Sequence, residues 1–473
     1  MTATKLKVLP LALCLALTGC VSMSPTYERP EAPVAGEWPQ GEAYAKAALN
    51  QEALPDWKTY YTDARLREVI ELALANNRDL RVALLNVEKV RQAYNVERSH
   101  FLPNLSGAAS GAHTRTPATL STTGRTVVSH TYTANLAMAS YELDLFGRIK
   151  SLSDQALNEY LATREARRAA QASMIAETAN AWLSLGADEA LLRFSRENLA
   201  TQEKTYSLMK NSYDAGGISL LELNQARTAL AQAKASLNAA QRAVAQDKNA
   251  LTLLAGTSVD PKLLPSDVSV VTLKGSLPKG APSEVLLNRP DIARAEFSLK
   301  AANANIGAAR ANFFPRITLV GNYGSGSREL RDLFDAGTNA WSFTPSVSLP
   351  IFTGGANLAT LRVSEANRDI ALANYEKAIQ SAFREVADAL ALEGTVEDSL
   401  KAYEELAKSA SEAYRLANIR YREGAESLLV LLDTQRSYIS ARTGLVAAQQ
   451  ARAASLVGLY RVLGGGAGID EER

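Results

Sequence analysis

Two stretches of the chain carry an apolar rhythm of seven. Leu223, Leu230, Leu237, Val244 and Leu251 recur at every seventh position, and three residues after each stand Ala226, Ala233, Ala240, Asp247 and Leu254. A second stretch repeats the arrangement with Leu431, Tyr438, Leu445, Arg452 and Leu459, followed by Thr434, Ala441, Ala448, Ser455 and Val462. A heptad keeps one seam of an α-helix buried and implies left-handed coiled-coil packing. The small residues along that seam allow neighbouring helices to approach closely. Elsewhere the period falls to two. Tyr132, Ala134, Leu136 and Met138 alternate with small or polar residues, and Tyr141, Leu143 and Leu145 continue one residue out of phase, as a β-bulge would make them. Ile317, Leu319, Gly321 and Tyr323 alternate likewise, as do Phe343, Pro345, Val347, Leu349 and Ile351. Strands are therefore expected at 104–113, 131–146, 316–325 and 341–352. Each is near the ~10 residues that a tilted strand needs to cross an outer membrane. The polar segments 114–130 and 325–340 read as exposed loops. Tyr141, Phe146, Phe313, Phe314, Tyr323 and Trp341 are candidates for interfacial belts or for ordinary packing.

Proline placement divides the chain. None occurs from 118 to 260 or after 350, so both windows can hold long helices. The windows also match each other. Asp79 and Asp291 stand 212 apart, as do Pro103 and Pro315, and Gly216 answers Gly424 at an offset of 208. A nearly constant offset over so many landmarks indicates a tandem duplication. Each unit reads as a helix (64–100; 283–312), two strands, a helix of about 60 residues (150–213; 356–421) spanning roughly 90 Å, a Gly-containing turn and a return helix (219–254; 427–463). The expected divisions are a signal segment 1–19, an N-terminal lipidated arm 20–63, a first repeat 64–256, an equatorial linker 257–282, a second repeat 283–464 and a tail 465–473.

The composition suits a folded chain: 473 residues, 47% hydrophobic and 21% charged. A net charge of +1 argues against a nucleic-acid partner. Lys5 and Lys7 precede the short apolar run Val8 to Leu17, and Leu17-Thr18-Gly19-Cys20 resembles a bacterial lipobox. Cys20 would then carry a diacylglycerol and an N-acyl chain; an ordinary secretory signal with a chance cysteine is the other reading. Val21 in place of aspartate favours the outer over the inner membrane. No other apolar run reaches the length of a spanning helix, so any crossing must be made by a closed β-barrel.

Four strands cannot close a membrane barrel, whose smallest form has eight. Two copies would give a barrel filled by side chains, and three give twelve strands with room for a lumen. The expected fold is mainly α with a membrane β part. It is a homotrimeric 12-stranded barrel, four strands per chain, continuous with a coiled-coil α-helical barrel and a mixed equatorial region.

The stretches Tyr141-Glu142-Leu143-Asp144-Leu145-Phe146-Gly147-Arg148, Asn303 to Ala311, Leu349-Pro350-Ile351-Phe352 and Leu431-Leu432-Asp433-Thr434-Gln435-Arg436-Ser437 resemble the TolC-like outer-membrane factor family, in its lipoprotein branch of OprM- and MtrE-type outlets. The resemblance covers essentially the mature chain. It implies a homotrimeric exit duct in the outer membrane with a periplasmic helical extension, docked to a periplasmic adaptor and an inner-membrane RND transporter that exports drugs. It further implies a periplasmic gate. Leu429 and Asp433 would face the axis as rings of three, the leucines narrowing the pore and the carboxylates favouring cations. Arg436, Glu222, Arg227 and Tyr421 would tie the closed state together, and the turns at Gly216, Gly217 and Gly424 would meet the adaptor. Val430 stands where such ducts carry a second axial acid, a departure from the two-acid pattern. Leu429 and Asp433 are four apart and share a helix face.

No catalytic set is present, and no cofactor is expected beyond the lipid on Cys20. His100, His113 and His130 have no Cys, His or Glu partners at ligand spacing. Two other readings stay open: a duct fed by an ABC transporter for secretion, and a periplasmic structural lipoprotein without a pore.

Overall fold

A computed structural model describes residues 22–44, 54–268, 286 and 289–468; Cys20 and the rest of the signal segment lie outside them. The elements are α1 (Trp57–Tyr60), α2 (Ala64–Asn76), α3 (Arg78–Ser99), β1 (Leu105–Thr116), β2 (Val127–Leu143), α4 (Arg148–Asp214), α5 (Leu220–Ala255), α6 (Pro290–Ala311), β3 (Arg316–Ser327), β4 (Asn339–Ser348), α7 (Ala356–Arg422) and α8 (Leu428–Val462). The succession of helix, two strands, long helix and return helix occurs twice. Among the described residues no helix is long and apolar enough to cross a membrane.

The chain divides into two compact units. One holds the strands, with residues 87–163, 295–375 and the segment ending at Pro30; the other holds residues 31–86, 164–294 and 376 onward.

In the strand-bearing unit the order is β1-β2-β3-β4, every neighbour antiparallel. The expected phase slip is a bulge: Met138 faces Gly321 while Tyr141 faces Leu319, so β2 carries one extra residue. The register sorts the side chains. Leu105, Leu136, Met138, Leu319, Tyr323, Trp341, Phe343 and Val347 share one face, and Ser106, Ser110, Thr133, Thr318, Asn322, Ser342 and Ser346 share the other. Hydroxyls pair across strands on the second face, Ser110 with Thr133 at 2.8 Å and Thr318 with Ser346 at 2.7 Å. Among the described residues, β1 and β4 have no strand partner on their outer edges.

Strand ends differ from expectation. β2 stops at Leu143 because a tight turn follows, with Leu145 N–H donating to Leu143 O and Gly147 in the left-handed region (φ 69°). β4 ends at Ser348, before Leu349 and Pro350, opposite Arg316 where its partner β3 begins. Phe146 stacks on Phe314 with ring centroids 4.9 Å apart, which makes that aromatic pair a packing contact.

α4 and α7 are each 67 residues long, about 100 Å, and contribute residues 164–214 and 376–422 to the helical unit. Gly186 lies inside α4 because a Cβ there would stand 3.2 Å from the backbone of Asp267. Residues 263–267 lie against that point, with the Trp182 indole donating to Leu263 O at 2.9 Å and Arg193 paired with Asp267 at 2.8 Å. The heptad seam of α5 is buried at Ala226, Ala233, Val244 and Leu251. The single helix expected over 64–100 is two helices. Asn77 ends α2 and caps α3 by accepting from Asp79 and Leu80 N–H at 2.8 and 3.1 Å, while its amide donates to Leu254 O at 2.9 Å. In the second repeat α6 begins at Pro290, a favoured first helical residue, and Arg289 donates to Val462 O at 2.9 Å as well as pairing with Asp291 and Glu385.

Candidate functional site

The predicted gate residues lie around two helix-to-helix turns of the helical unit. Both turns close as Schellman motifs. Gly217 N–H donates to Ser212 O and Gly216 N–H to Tyr213 O, at 2.7 and 2.8 Å. In the second turn Ala425 N–H donates to Arg420 O and Gly424 N–H to Tyr421 O, at 2.8 and 3.1 Å. Gly216 (φ 76°) and Gly424 (φ 72°) occupy the left-handed positions that these motifs require. Gly217 has ordinary dihedrals.

A small core lies beneath the turns. Met209, Ala226, Ala417, Leu428 and Leu431 are buried together, with Tyr206, Leu223, Tyr414 and Tyr421 packed against them. It fastens the ends of all four long helices. Tyr421 donates its hydroxyl to Met209 Sδ at 3.4 Å, a cross-helix contact; burial and the nearby Glu222 carboxylate raise its pKa.

Among the polar candidates, Asp433 and Arg436 are brought together as an exposed i,i+3 ion pair at 2.9 Å. Glu222 is engaged locally: its carboxylate accepts from Ser219 N–H at 2.8 Å and from the Ser219 hydroxyl at 2.9 Å, while Ser219 Oγ accepts Glu222 N–H at 3.2 Å. This is a capping box on α5, and it lowers the carboxyl pKa. Arg227 is exposed on the next turn of α5. Leu429 is 61% exposed and, with Leu432, Gln435 and Arg436, lines a groove of about 1020 Å³ between α8, α5 and α4 whose walls are mostly Asn, Gln, Ser, Thr and Ala.

Sequence reading missed the devices that hold the strand-bearing unit. Glu142, at the end of β2, accepts from Arg148 at 2.8 and 2.7 Å and from Arg316 at 2.6 Å, binding β2 to the first turn of α4 and to the start of β3. The segment 23–29 runs antiparallel along α6. Arg310 donates to Met23 O at 3.3 Å, Asn303 to Pro25 O at 2.8 Å, and Arg29 pairs with Glu296 at 2.8 Å. Gly307 leaves room for Ser24 and Ser151, which a Cβ would strike. Among the described residues no group of three or more His, Cys, Asp or Glu side chains could hold a metal.

An apolar face, a hydroxyl face and two unpaired edges are the attributes of a segment of β-barrel wall. The model of the outer membrane efflux protein family matches residues 69–257 and again residues 281–465, once for each repeat, and the chain belongs to that family. The antibiotic efflux pump outer membrane protein ArpC and the toluene efflux pump outer membrane protein TtgC, both of Pseudomonas putida, are each 44% identical over 462 residues, 97% of this chain and 95% of theirs. The open state of the MtrE outer membrane channel of Neisseria gonorrhoeae is 39% identical with a TM-score of 0.85, over 94% of this chain and 98% of that one.

Proposed function

We propose that three copies of this chain form the exit duct of a tripartite RND efflux system, passing antibiotics and other apolar toxic compounds from periplasm to exterior. The observation that carries this reading is the open four-stranded sheet. Its edge N–H and C=O groups cannot remain unpaired in hydrocarbon. Three sheets joined edge to edge make a 12-stranded barrel whose apolar face meets lipid and whose hydroxyl face lines water. α3 supports association, because it buries no side chain within its own chain and exposes Val82, Leu84, Leu85 and Val96.

The gate is the second turn. Leu429 and Asp433 form threefold rings there, and Arg436 tempers the charge of the carboxylates. Glu222, Arg227 and Tyr421 stabilise the resting arrangement, and the Gly216, Gly217 and Gly424 turns meet the periplasmic adaptor. The chain itself does no catalysis; the inner-membrane partner supplies the energy. Cys20 carries the lipid.

Single-channel recording in planar bilayers tests the reading. Discrete conductance steps from a heat-labile trimer are expected; a protein that yields no steps in any lipid is not a duct. Labelled palmitate should enter the wild type and not Cys20→Ser.

A further inference from the structure

We propose that His113 and His130 form a two-nitrogen site for a divalent transition-metal ion, bridging β1 and β2 just below the loop that joins them. The two residues are 17 apart in sequence, and the β1–β2 register sets them directly opposite each other on the apolar face of the sheet. Their Nδ1 atoms converge to 2.5 Å, with ring centroids 4.7 Å apart and planes inclined by 68°. An ordinary N–H···N bond is longer, at about 2.9 Å, and two N–H groups cannot face each other at this separation. With both protons carried on Nε2, the two Nδ1 lone pairs converge on one point. A proton can fill it, and so can a metal ion of borderline softness.

The rest of the geometry favours the metal. The Tyr132 hydroxyl lies 3.4 Å from His113 Nε2 and meets the ring edge-on at 85°. When the phenol oxygen accepts Nε2–H, the proton is fixed on that nitrogen and Nδ1 is left as the donor atom. Metal-bound histidines take this kind of outer partner to set their tautomer. Two imidazole nitrogens each about 2.0–2.1 Å from a tetrahedral ion stand ~3.3 Å apart. Reaching that from 2.5 Å requires a movement of less than 1 Å by two exposed side chains. Both rings are exposed and stand three residues from the loop ends of β1 and β2, at the margin of the lipid-facing surface, where water or an anionic oxygen can complete the coordination. Imidazole donors suit Cu²⁺, Ni²⁺ and Zn²⁺ rather than Mg²⁺ or Ca²⁺.

The test uses the purified trimer without a polyhistidine tag, titrated with Cu²⁺ and read by electron paramagnetic resonance. The expected spectrum shows hyperfine coupling to two equatorial nitrogens per chain. His113→Ala and His130→Ala should each weaken binding about tenfold or more, Tyr132→Phe should weaken it less, and His100→Ala should leave it unchanged. All four variants should keep wild-type channel conductance, which shows the fold intact. Equal Cu²⁺ binding by the wild type and the His113→Ala/His130→Ala double variant, or coupling to a single nitrogen, would overturn the proposal.

Discussion

The two turns that end the long helices share a backbone and differ in what secures them. In the first, Ser219 and Glu222 satisfy each other's backbone N–H groups, so α5 starts with a complete capping box. In the second, Ser427 accepts Val430 N–H at 3.4 Å, the apolar Val430 returns nothing, and the Ser427 N–H is accepted instead by the neighbouring Glu426 at 3.2 Å. Arg420 partly substitutes, pairing with Glu426 at 3.4 Å and donating to Ala425 O at 3.3 Å, but these groups lie outside α8. The duplication thus preserved the Schellman geometry and let the helix start diverge. The turn with the weaker cap is also the one that bears Leu429, Asp433 and Arg436. Glu222 is spent on capping its own helix, whereas Asp433 pairs with the exposed Arg436 on α8.

The sharpest way to break this comparison is to remove the charged pair. Asp433→Ala with Arg436→Ala should raise single-channel conductance severalfold and abolish cation preference. The corresponding change in the first turn, Glu222→Ala with Arg227→Ala, should alter conductance much less; equal effects would mean that the two turns gate alike. Next in size, Val430→Gln would give α8 the reciprocal cap that α5 already has, without adding charge. Open probability in bilayer recordings should fall. Tyr421→Phe removes only a weak hydroxyl-to-sulfur contact, so it should raise open probability slightly and leave the unit conductance unchanged.

The smallest effect concerns pH, and it too separates the repeats. Asp188 on α4 and Asp247 on α5 face one another, and burial together with the Asp188 charge pushes Asp247 up to about 6. Ser455 stands at the matching position of α8, buried and donating to Arg452 O at 2.8 Å, so the second hairpin lacks such a pair. A carboxyl raised in the folded state binds its proton there more tightly than in the unfolded chain. Stability is therefore lost as pH rises from the ordinary carboxylate range through about 6. Asp247→Asn should flatten that dependence and raise the melting temperature at pH 7.5 by about 1–2 °C. A wild type as stable at pH 7.5 as at pH 5 would contradict the assignment.

Much of the fold was legible because it rests on local periodicity. The heptads marked α5 and α8, the alternation marked the strands, and the phase slip at Tyr141 marked the bulge in β2. What escaped depends on distant residues. Asn77 breaks the first helix by reaching Leu254, 177 positions away. The binding of 23–29 along α6 depends on Gly307, which lies in the stretch that carries the family resemblance, but nothing local to it foretells the close approach of Ser24. His113 and His130 lacked ligand spacing in the sequence, and only the strand register unites them. Glu222 is a different case. Ser219-Leu220-Leu221-Glu222 carries the capping-box signature in the sequence itself, on the same residue that the resemblance marks as a gating acid.

Native mass spectrometry from detergent micelles addresses the central claim most directly. The open sheet predicts particles of three chains, dissociating on heating to single chains. A dimer would supply only eight strands and no water-filled lumen, and a stable monomer would leave two sheet edges bare; either result would contradict the account.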